Sequence, residues 1–557
     1  MPRTPLALIA VALAAAGLSA QQFTERKDLL PGPVVWTEGV IPLDANEDGL
    51  LDILFTNCNG WRKPGDMAAP SADPLRPTLL VQVRDAKGAL GFEDRTDALL
   101  PADFLVHAKN AAVFDADGDG HEDIAWAVAF GARQRLLRKD PESGRFVDAS
   151  DRLPELVINA NQVDYGDFDG DGDLDLVWVD SGPNSDMEPG GKARLCLNDG
   201  KGRFTEAADR LGAVEKVGAQ NPKIVDIDGD LDLDIVVDGK SDVTQVYLND
   251  GRGQFKLDLD LIPRPEVTVV ETRRGERRIS GKPYEIEWGD LDGDGDLDAV
   301  FMNYFGEGRQ RYSNAVLANR LVENGRLSFE VIRDAFAGRN AEDENDFALL
   351  DADGDGDLDV ICAVLVSGTC EEKLFLNSGR IGPGFLVEKT GAFTPFVDGT
   401  LDLALGDFDG DGRCDVITAQ GESNRHESFR NRYYANTGPK DERAPVVVRQ
   451  TPPAKLTAAA FARDGHLVRV QLRDGAVDDN VARCRAELLL RVGDAPAAEA
   501  RVLPMTHAGG EIHQLRLRPP TAGFTGTLRY RLRVRDRAGN RSETEEVVVE
   551  IRAEEKK

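Results

Sequence analysis

The sequence predicts an all-β chain, a seven-bladed β-propeller followed by a C-terminal β-sandwich, and three observations carry that prediction. A nine-residue pattern, Asp-x-Asp-x-Asp-Gly-x-x-Asp, recurs seven times, starting at Asp44, Asp115, Asp167, Asp226, Asp290, Asp351 and Asp407. A phenylalanine followed by polar residues recurs in step with it, at Phe23, Phe92, Phe146, Phe204, Phe255, Phe329 and Phe385. Beyond Ala444 the acidic pattern is gone, and short alternating apolar runs replace it.

The elements follow in chain order. Residues 1–20 read as a secretory signal: Arg3 is the sole charge, Leu6 to Leu18 is apolar, and small Ser19 and Ala20 precede Gln21. No later run is long and apolar enough to span a bilayer. The expected product is exported, to the periplasm, cell surface or medium.

Residues 21–440 are the predicted propeller. Its third unit is the clearest. Asn161 to Gly166 is a first strand, Asp167 to Asp175 an acidic loop, and Leu176 to Val179 a buried second strand. Ala193 to Asn198 is a third strand, Asn198-Asp199-Gly200 a turn signal, and Arg203 to Glu206 begins a fourth. The phase of the phenylalanine marker matters. Phe23 precedes the first acidic motif, and nothing equivalent follows Tyr433-Tyr434-Ala435-Asn436. The N-terminal strand is therefore expected to complete the last blade, which closes the ring and leaves no open sheet edge.

Residues 441–445 read as a Pro-bearing linker, and residues 446–552 as the sandwich. Its expected strands are Val446 to Val448, His466 to Leu472, Ala486 to Val492, Ile512 to Leu517, Leu528 to Val534 and Glu546 to Ile551. Six cysteines in 557 residues do not make a disulfide scaffold. Cys362 and Cys370 are placed either across a hairpin from each other or as small buried residues.

The net charge of −31 is concentrated in the motifs. Their 63 residues hold 33 Asp and Glu and one Arg, a net of −32, so the rest of the chain sums to +1. Such a chain is a poor partner for nucleic acid. Carboxylates this dense repel one another unless a hard cation sits among them.

Tyr165-Gly166-Asp167-Phe168-Asp169-Gly170-Asp171-Gly172-Asp173-Leu174-Asp175-Leu176, with turns such as Tyr247-Leu248-Asn249-Asp250-Gly251, resembles the FG-GAP or VCBS repeats of the integrin α-subunit propeller and of secreted bacterial proteins. The bacterial branch is the closer likeness. Tyr530 to Asp536, followed by Ala538-Gly539-Asn540, resembles bacterial Ig-like or fibronectin-III-like modules.

The repeat resemblance implies up to seven structural Ca²⁺ ions. Side chains at positions 1, 3 and 5, a carbonyl at position 7 and a carboxylate at position 9 would hold each ion. The ligands carried over are Asp44, Asn46, Asp48 and Asp52; Asp115, Asp117, Asp119 and Asp123; Asp167, Asp169, Asp171 and Asp175; Asp226, Asp228, Asp230 and Asp234; Asp290, Asp292, Asp294 and Asp298; Asp351, Asp353, Asp355 and Asp359; and Asp407, Asp409, Asp411 and Asp415. Asn46 drops one charge, and Leu231 replaces the glycine that a positive φ at position 6 favours, so the fourth loop is the poorest fit. An EF-hand is excluded, because position 12 is Phe55, Trp126, Trp178, Val237, Phe301, Cys362 or Thr418, never a bidentate Glu.

Strand order puts the acidic loops on one face of the ring and the long second-to-third-strand loops on the other. Trp61, Arg62, Tyr304, Arg311, Tyr312, Arg425 and His426 on those loops are the candidate ligand-binding residues. The expected function is a secreted, calcium-stabilised binding or adhesion protein that meets an extracellular protein or glycan, with the sandwich as spacer or second contact. The alternative is a lyase or hydrolase acting on an extracellular polysaccharide. No Gly-x-Ser-x-Gly motif is present, and three of six histidines (His466, His507, His513) lie in the sandwich, so no catalytic residue is assigned.

Overall fold

The computed structural model describes residues 22–58, 73–182, 192–212, 219–239, 243–265, 267–272, 275–281, 285–307, 311–340, 343–366, 371–395, 399–421, 430–475 and 483–554. The described chain is all-β, built largely of four-stranded antiparallel sheets consistent with propeller blades.

The third unit shows how the sequence dictates each sheet. Strands Ala160–Gly166, Asp175–Asp180, Lys192–Asn198 and Phe204–Glu206 lie side by side in sequence order. The second strand is apolar on both faces because it lies inside the sheet and is covered by neighbouring sheets; Val177, Trp178 and Val179 are fully buried. The fourth strand is short and anchored by Phe204, with Thr205 turned to solvent.

Seven such sheets occur among the described residues before Asn436. Their first strands, Thr37–Leu43, Ala108–Phe114, Ala160–Gly166, Pro222–Val225, Ile286–Gly289, Asp343–Leu350 and Thr400–Gly406, touch one another in sequence order, and the last touches the first. The outer position of the last sheet is filled from the other end of the chain. Phe23–Glu25 pairs with Arg432–Asn436, Phe23 opposite Asn436. Phe23 is fully buried and stacks on Phe393 with ring centroids 4.5 Å apart. A parallel pair, Phe336–Ala337 beside Leu386–Glu388, adds a fifth strand to the sixth sheet. Cys58, Cys196, Cys362 and Cys484 are buried, and Cys370 lies outside the described residues.

After the linker, two further sheets share one core. Val446–Gln450, His466–Arg473, Ile512–Leu517 and Thr506–Gly509 form one; Lys455–Thr457, Val547–Arg552, Gly526–Arg535, Arg485–Val492 and Arg501–Pro504 form the other. Val468, Val470 and Leu472 from the first meet Leu488, Leu532 and Val549 from the second.

This module, read from the sequence as a spacer or second contact, is packed against the ring. Its Thr506–Gly509 hairpin enters the acidic-loop end of the ring. Ala508 and Ile512 belong to the same buried cluster as Phe168, Leu231 and Leu233, and the Asp167 N–H donates to Ala508 O at 2.8 Å. Gly509 and Gly510 lie so close to the ring that a Cβ would stand 2.7 Å from Tyr165 O and 2.5 Å from Ile224 O. Only glycine fits there, both for space and for φ of +112° and +50°.

Candidate metal sites

Each acidic loop is an Asx-rich turn wound around its own first aspartate. In all seven, the position-6 N–H donates to Oδ2 of the position-1 carboxylate at 2.9–3.1 Å: Gly49 to Asp44, Gly120 to Asp115, Gly172 to Asp167, Leu231 to Asp226, Gly295 to Asp290, Gly356 to Asp351 and Gly412 to Asp407. Leu231 adopts φ +73°, so the fourth loop keeps the shared geometry at the cost of a strained backbone.

The position-9 aspartates are staples. Asp175 accepts from Phe168 N at 3.2 Å and from Asn198 N on the third strand at 2.8 Å, and six loops repeat this double bond. In the seventh, Asp415 takes Asn436 N, while the Tyr433 hydroxyl replaces the loop N–H. Burial raises these carboxyls strongly, against the pull of their N–H donors. Asp52 and Asp123 rise to about 7, Asp359 and Asp415 to about 8, and Asp175, Asp234 and Asp298 well above the ordinary range. A cation beside them would remove that penalty.

Whether the residues fit a metal is decided by oxygens that lack donors. One oxygen each from Asp115, Asp117 and Asp123 lies within 4.8 Å of the others, and so do those of Asp167, Asp169 and Asp175, of Asp226, Asp228 and Asp230, and of Asp290, Asp292 and Asp294. Asp117 Oδ1, Asp167 Oδ1 and Asp292 Oδ1 are buried with no hydrogen-bond donor. Buried anionic oxygens without donors, converging from three carboxylates, match a hard divalent cation. At the edge of the second loop His121 Nδ1 meets Glu47 Oε1 at 2.6 Å, and that bond raises the His121 pKa. The imidazole is committed there.

A second set of residues ties the loops into a ring. Asn198 Nδ2 donates to Ala116 O, the position-2 carbonyl of the preceding loop, at 2.8 Å. Asn249 does the same to Phe168 O, Asn319 to Ile227 O and Asn377 to Leu291 O. Lys139 and Gln82 stand in for asparagine at two seams, donating to Ala45 O and Phe408 O, and in the last sheet Asn436 donates to Cys414 O while Gln22 beside it reaches Ala352 O. These ties were missed as site residues, although an Asn-x-Gly turn signal stands at three of them, Asn198, Asn249 and Asn377.

The first strands surround an axial cavity of about 1110 Å³, floored by the C-terminal module through Arg483, His507, Gly510 and Glu511. Carboxylates and lysines line its wall in pairs: Glu38 with Lys109, and Lys223 with Glu285 at 3.1 Å and Glu287 at 2.6 Å.

Of the candidate ligand-binding residues, Tyr304 must be corrected. It is 1% exposed, packs edge-to-face on Phe301 at 5.1 Å, and directs its hydroxyl to Pro263 O. A bulge in register after Phe301 turns it into the core rather than onto the loop. Arg311 and Tyr312 lie on the strand Arg311–Asn319, opposite Glu307 and Gly306. Trp61, Arg62, Arg425 and His426 lie outside the described residues.

Comparison with known proteins locates the repeats. The FG-GAP-like repeat model matches residues 115–178 and 167–237, which span the second to fourth acidic loops. No curated protein matches the chain. Among solved structures, the chain is similar to BBS1N in a complex with ARL6DN, at 10% identity, covering 74% of this chain and 97% of that one, with a TM-score of 0.41. It is also similar to a 6-phosphogluconolactonase homologue from Bacteroides uniformis, at 11% identity, 64% and 89% coverage and a TM-score of 0.35. A third is the Trypanosoma rangeli sialidase in complex with sialic acid, at 8% identity, 92% and 88% coverage and a TM-score of 0.34. Likeness this distant bears on neither activity nor ligand.

No helix among the described residues is long and apolar enough to cross a membrane.

Proposed function

We infer that this chain is an exported, calcium-stabilised binding protein: a seven-bladed propeller over residues 21–440, closed by its N-terminal strand, with an Ig-like β-sandwich over residues 446–552 docked on its metal face. The observation that carries the reading is the bond from position 6 to the first carboxylate that all seven acidic loops share, with buried donor-free carboxylate oxygens in the second to fifth. FG-GAP-like repeats at residues 115–237 support it. Calcium is favoured over Mg²⁺ because the donor set is crowded, irregular and all oxygen. The ions are structural, since they bind only the folded loops and stabilise them by mass action.

The module occupies the acidic-loop face, so an external protein or glycan is assigned to the opposite face, where Trp61, Arg62, Arg311, Tyr312, Arg425 and His426 are the proposed contacts. Calcium stoichiometry by equilibrium dialysis, with melting curves in excess EDTA, tests the metal reading. Each ion at about a hundred times its Kd adds about 2.7 kcal/mol, so chelation should lower the melting temperature by many degrees. An unchanged curve refutes the reading.

One observation favours a second reading, an enzyme acting on an extracellular polysaccharide. Asp346 and Asp402 from adjacent first strands line the axial cavity and hydrogen-bond to one another; burial raises both, Asp402 to about 6. A carboxyl pair sharing a proton is an acid–base device. Screening polyuronates and neutral glycans with wild type and Asp402→Asn separates the two readings: turnover by wild type that the variant loses supports the enzyme.

A further inference from the structure

The C-terminal module and its linker meet the acidic loops through cationic side chains aimed at loop carboxylates, two of which would hold metal. Arg473 donates to Asp290 Oδ2 and the linker's Arg443 stands 3.6 Å from Asp351 Oδ2, both position-1 residues, while Arg469 donates to Asp232 Oδ1 at position 7 of the fourth loop, outside the ligand set. The Asp290 side chain is only 4% exposed, so its pairing with Arg473 is sheltered from water and salt. At the third loop the position-1 carboxylate has a neutral hydrogen-bond partner: Gln514, buried, donates to Asp167 Oδ2, while Arg516 donates to the backbone carbonyl of Gly170 and the Arg469 charge acts on Asp167 without bonding to it. Arg473 and Gln514 therefore hold the same oxygen of the same position-1 aspartate in two loops, one with a charge and one without.

We propose that arginines of the C-terminal module and of the linker that leads into it are built-in counter-ions of the fourth to sixth acidic loops, so that metal entry into those loops and seating of the module oppose one another. The proposal rests on the metal reading above. A guanidinium and a dication both draw on the same few carboxylates. A neighbouring positive charge lowers a carboxylate's affinity for a proton by tenfold or more, and a dication meets the same competition. The loops are over-supplied with charge, five carboxylates at Asp290, Asp292, Asp294, Asp296 and Asp298, so the module stays attached when they fill but is held less tightly. The Asp167 loop behaves differently. An amide orients the outer oxygen without adding charge, and it leaves the donor-free Asp167 Oδ1 for the ion. Gln514 thus supports metal binding there, as hydrogen bonds behind a metal ligand commonly do. Linkage makes each effect reciprocal.

The test uses the full-length protein, with Ca²⁺ binding followed calorimetrically. Arg469→Gln/Arg473→Gln should bind Ca²⁺ about tenfold more tightly at the Asp290 site, and Gln514→Ala about tenfold more weakly at the Asp167 site. Arg473→Lys, which keeps the charge, should stay close to wild type. Module seating is read independently, by proteolysis of the 439–445 linker. In chelator, wild type should be protected, and protection should fall with added salt and with added Ca²⁺. Normal Ca²⁺ binding by wild type with unchanged or weakened affinity in Arg469→Gln/Arg473→Gln overturns this proposal alone. Absence of any bound Ca²⁺ in wild type overturns the metal reading and the proposal together. Any variant with an altered far-UV spectrum is replaced by its single-substitution parent.

Discussion

Asn198→Ala removes one tie between neighbouring sheets together with three bonds inside its own sheet unit. The side chain is 9% exposed and makes four hydrogen bonds: Nδ2 to Ala116 O at 2.8 Å and to Leu174 O at 2.9 Å, and Oδ1 from Gly200 N and Gly202 N at 3.2 Å each. Truncation leaves two buried carbonyls and two N–H groups short of partners. At about 0.5–1.5 kcal/mol net per bond, with the long N–H bonds at the low end, the loss comes to about 3 kcal/mol. Asn198→Asp keeps the acceptor but turns a carboxylate on two carbonyls beside a loop that already holds five acids, so it should cost at least as much. Lys201→Ala, on the same turn but solvent-facing, should stay within about 0.5 kcal/mol. Urea denaturation in excess calcium gives the comparison, with the midpoint shift read at unchanged slope. If Asn198→Ala lies within error of Lys201→Ala, the interstrand amide ties carry no stability. The ring would then be held by apolar packing between sheets alone.

Three further outcomes follow from the same geometry. Tyr304→Ala should lower stability by about 3–5 kcal/mol, as loss of a buried aromatic does, while affinity for any ligand of the opposite face stays at the wild-type value; a binding defect in folded protein would return Tyr304 to the site. Gly510→Val should expose the 439–445 linker to protease, because its side chain would occupy the space of the Ile224 carbonyl and φ is +50°; a protected linker would mean the hairpin is not wedged into the ring. Glu511, open to the axial cavity on one side but enclosed by protein, has its carboxyl raised to about 8 by burial, with Asp290 and Asp226 adding to the effect. A carboxyl whose folded pKa exceeds its unfolded value near 4.5 contributes stability that is fully present below that value and is lost as pH rises through 8. Metal-free wild type should therefore melt lower at pH 9 than at pH 6, and Glu511→Gln should flatten that part of the profile; parallel profiles refute the assignment.

The all-β class, the sheet unit and the acidic loops were legible in sequence because each depends on local chemistry. An aspartate every second residue with glycine at a fixed place specifies a turn whatever surrounds it, and a run such as Leu-Val-Trp-Val after it can only be an inner strand. Tyr304 was misread for the opposite reason. It falls in the stretch Asn303 to Asn314 that reads as a long connection, yet the strand Asp298–Glu307 continues through it with a register shift, and the shift turns the ring inward. A one-residue slip exchanges faces, and no local pattern announces it. The amide ties lay between these extremes. Asn-Asp-Gly was read as a turn, which it is, but its second role needs a carbonyl about 80 residues away in Ala116 or Phe168.

The docking of the C-terminal module was beyond the sequence altogether, and the reason is physical. Its arginines sit on strands that alternate like any solvent-facing β-strand: Arg469, Gln471 and Arg473 point one way, Val468, Val470 and Leu472 the other. In an isolated sandwich such a polar face would meet water. Here it meets the one surface of the chain that carries a net charge of about −32, and the balance of charge between the two parts, near zero outside the motifs, gives no sign of it. What settles the interface is that uncharged contacts accompany the ion pairs. Arg469–Asp232 and Arg473–Asp290 alone are contacts that any basic surface could make with any acidic one. The Gly509–Gly510 turn, with no room for a Cβ against Tyr165 O or Ile224 O, and Ala508 and Ile512 inside the core of the third and fourth sheets are specific to this pose. Charge brings the module to the loops, and the hairpin fixes where it stops.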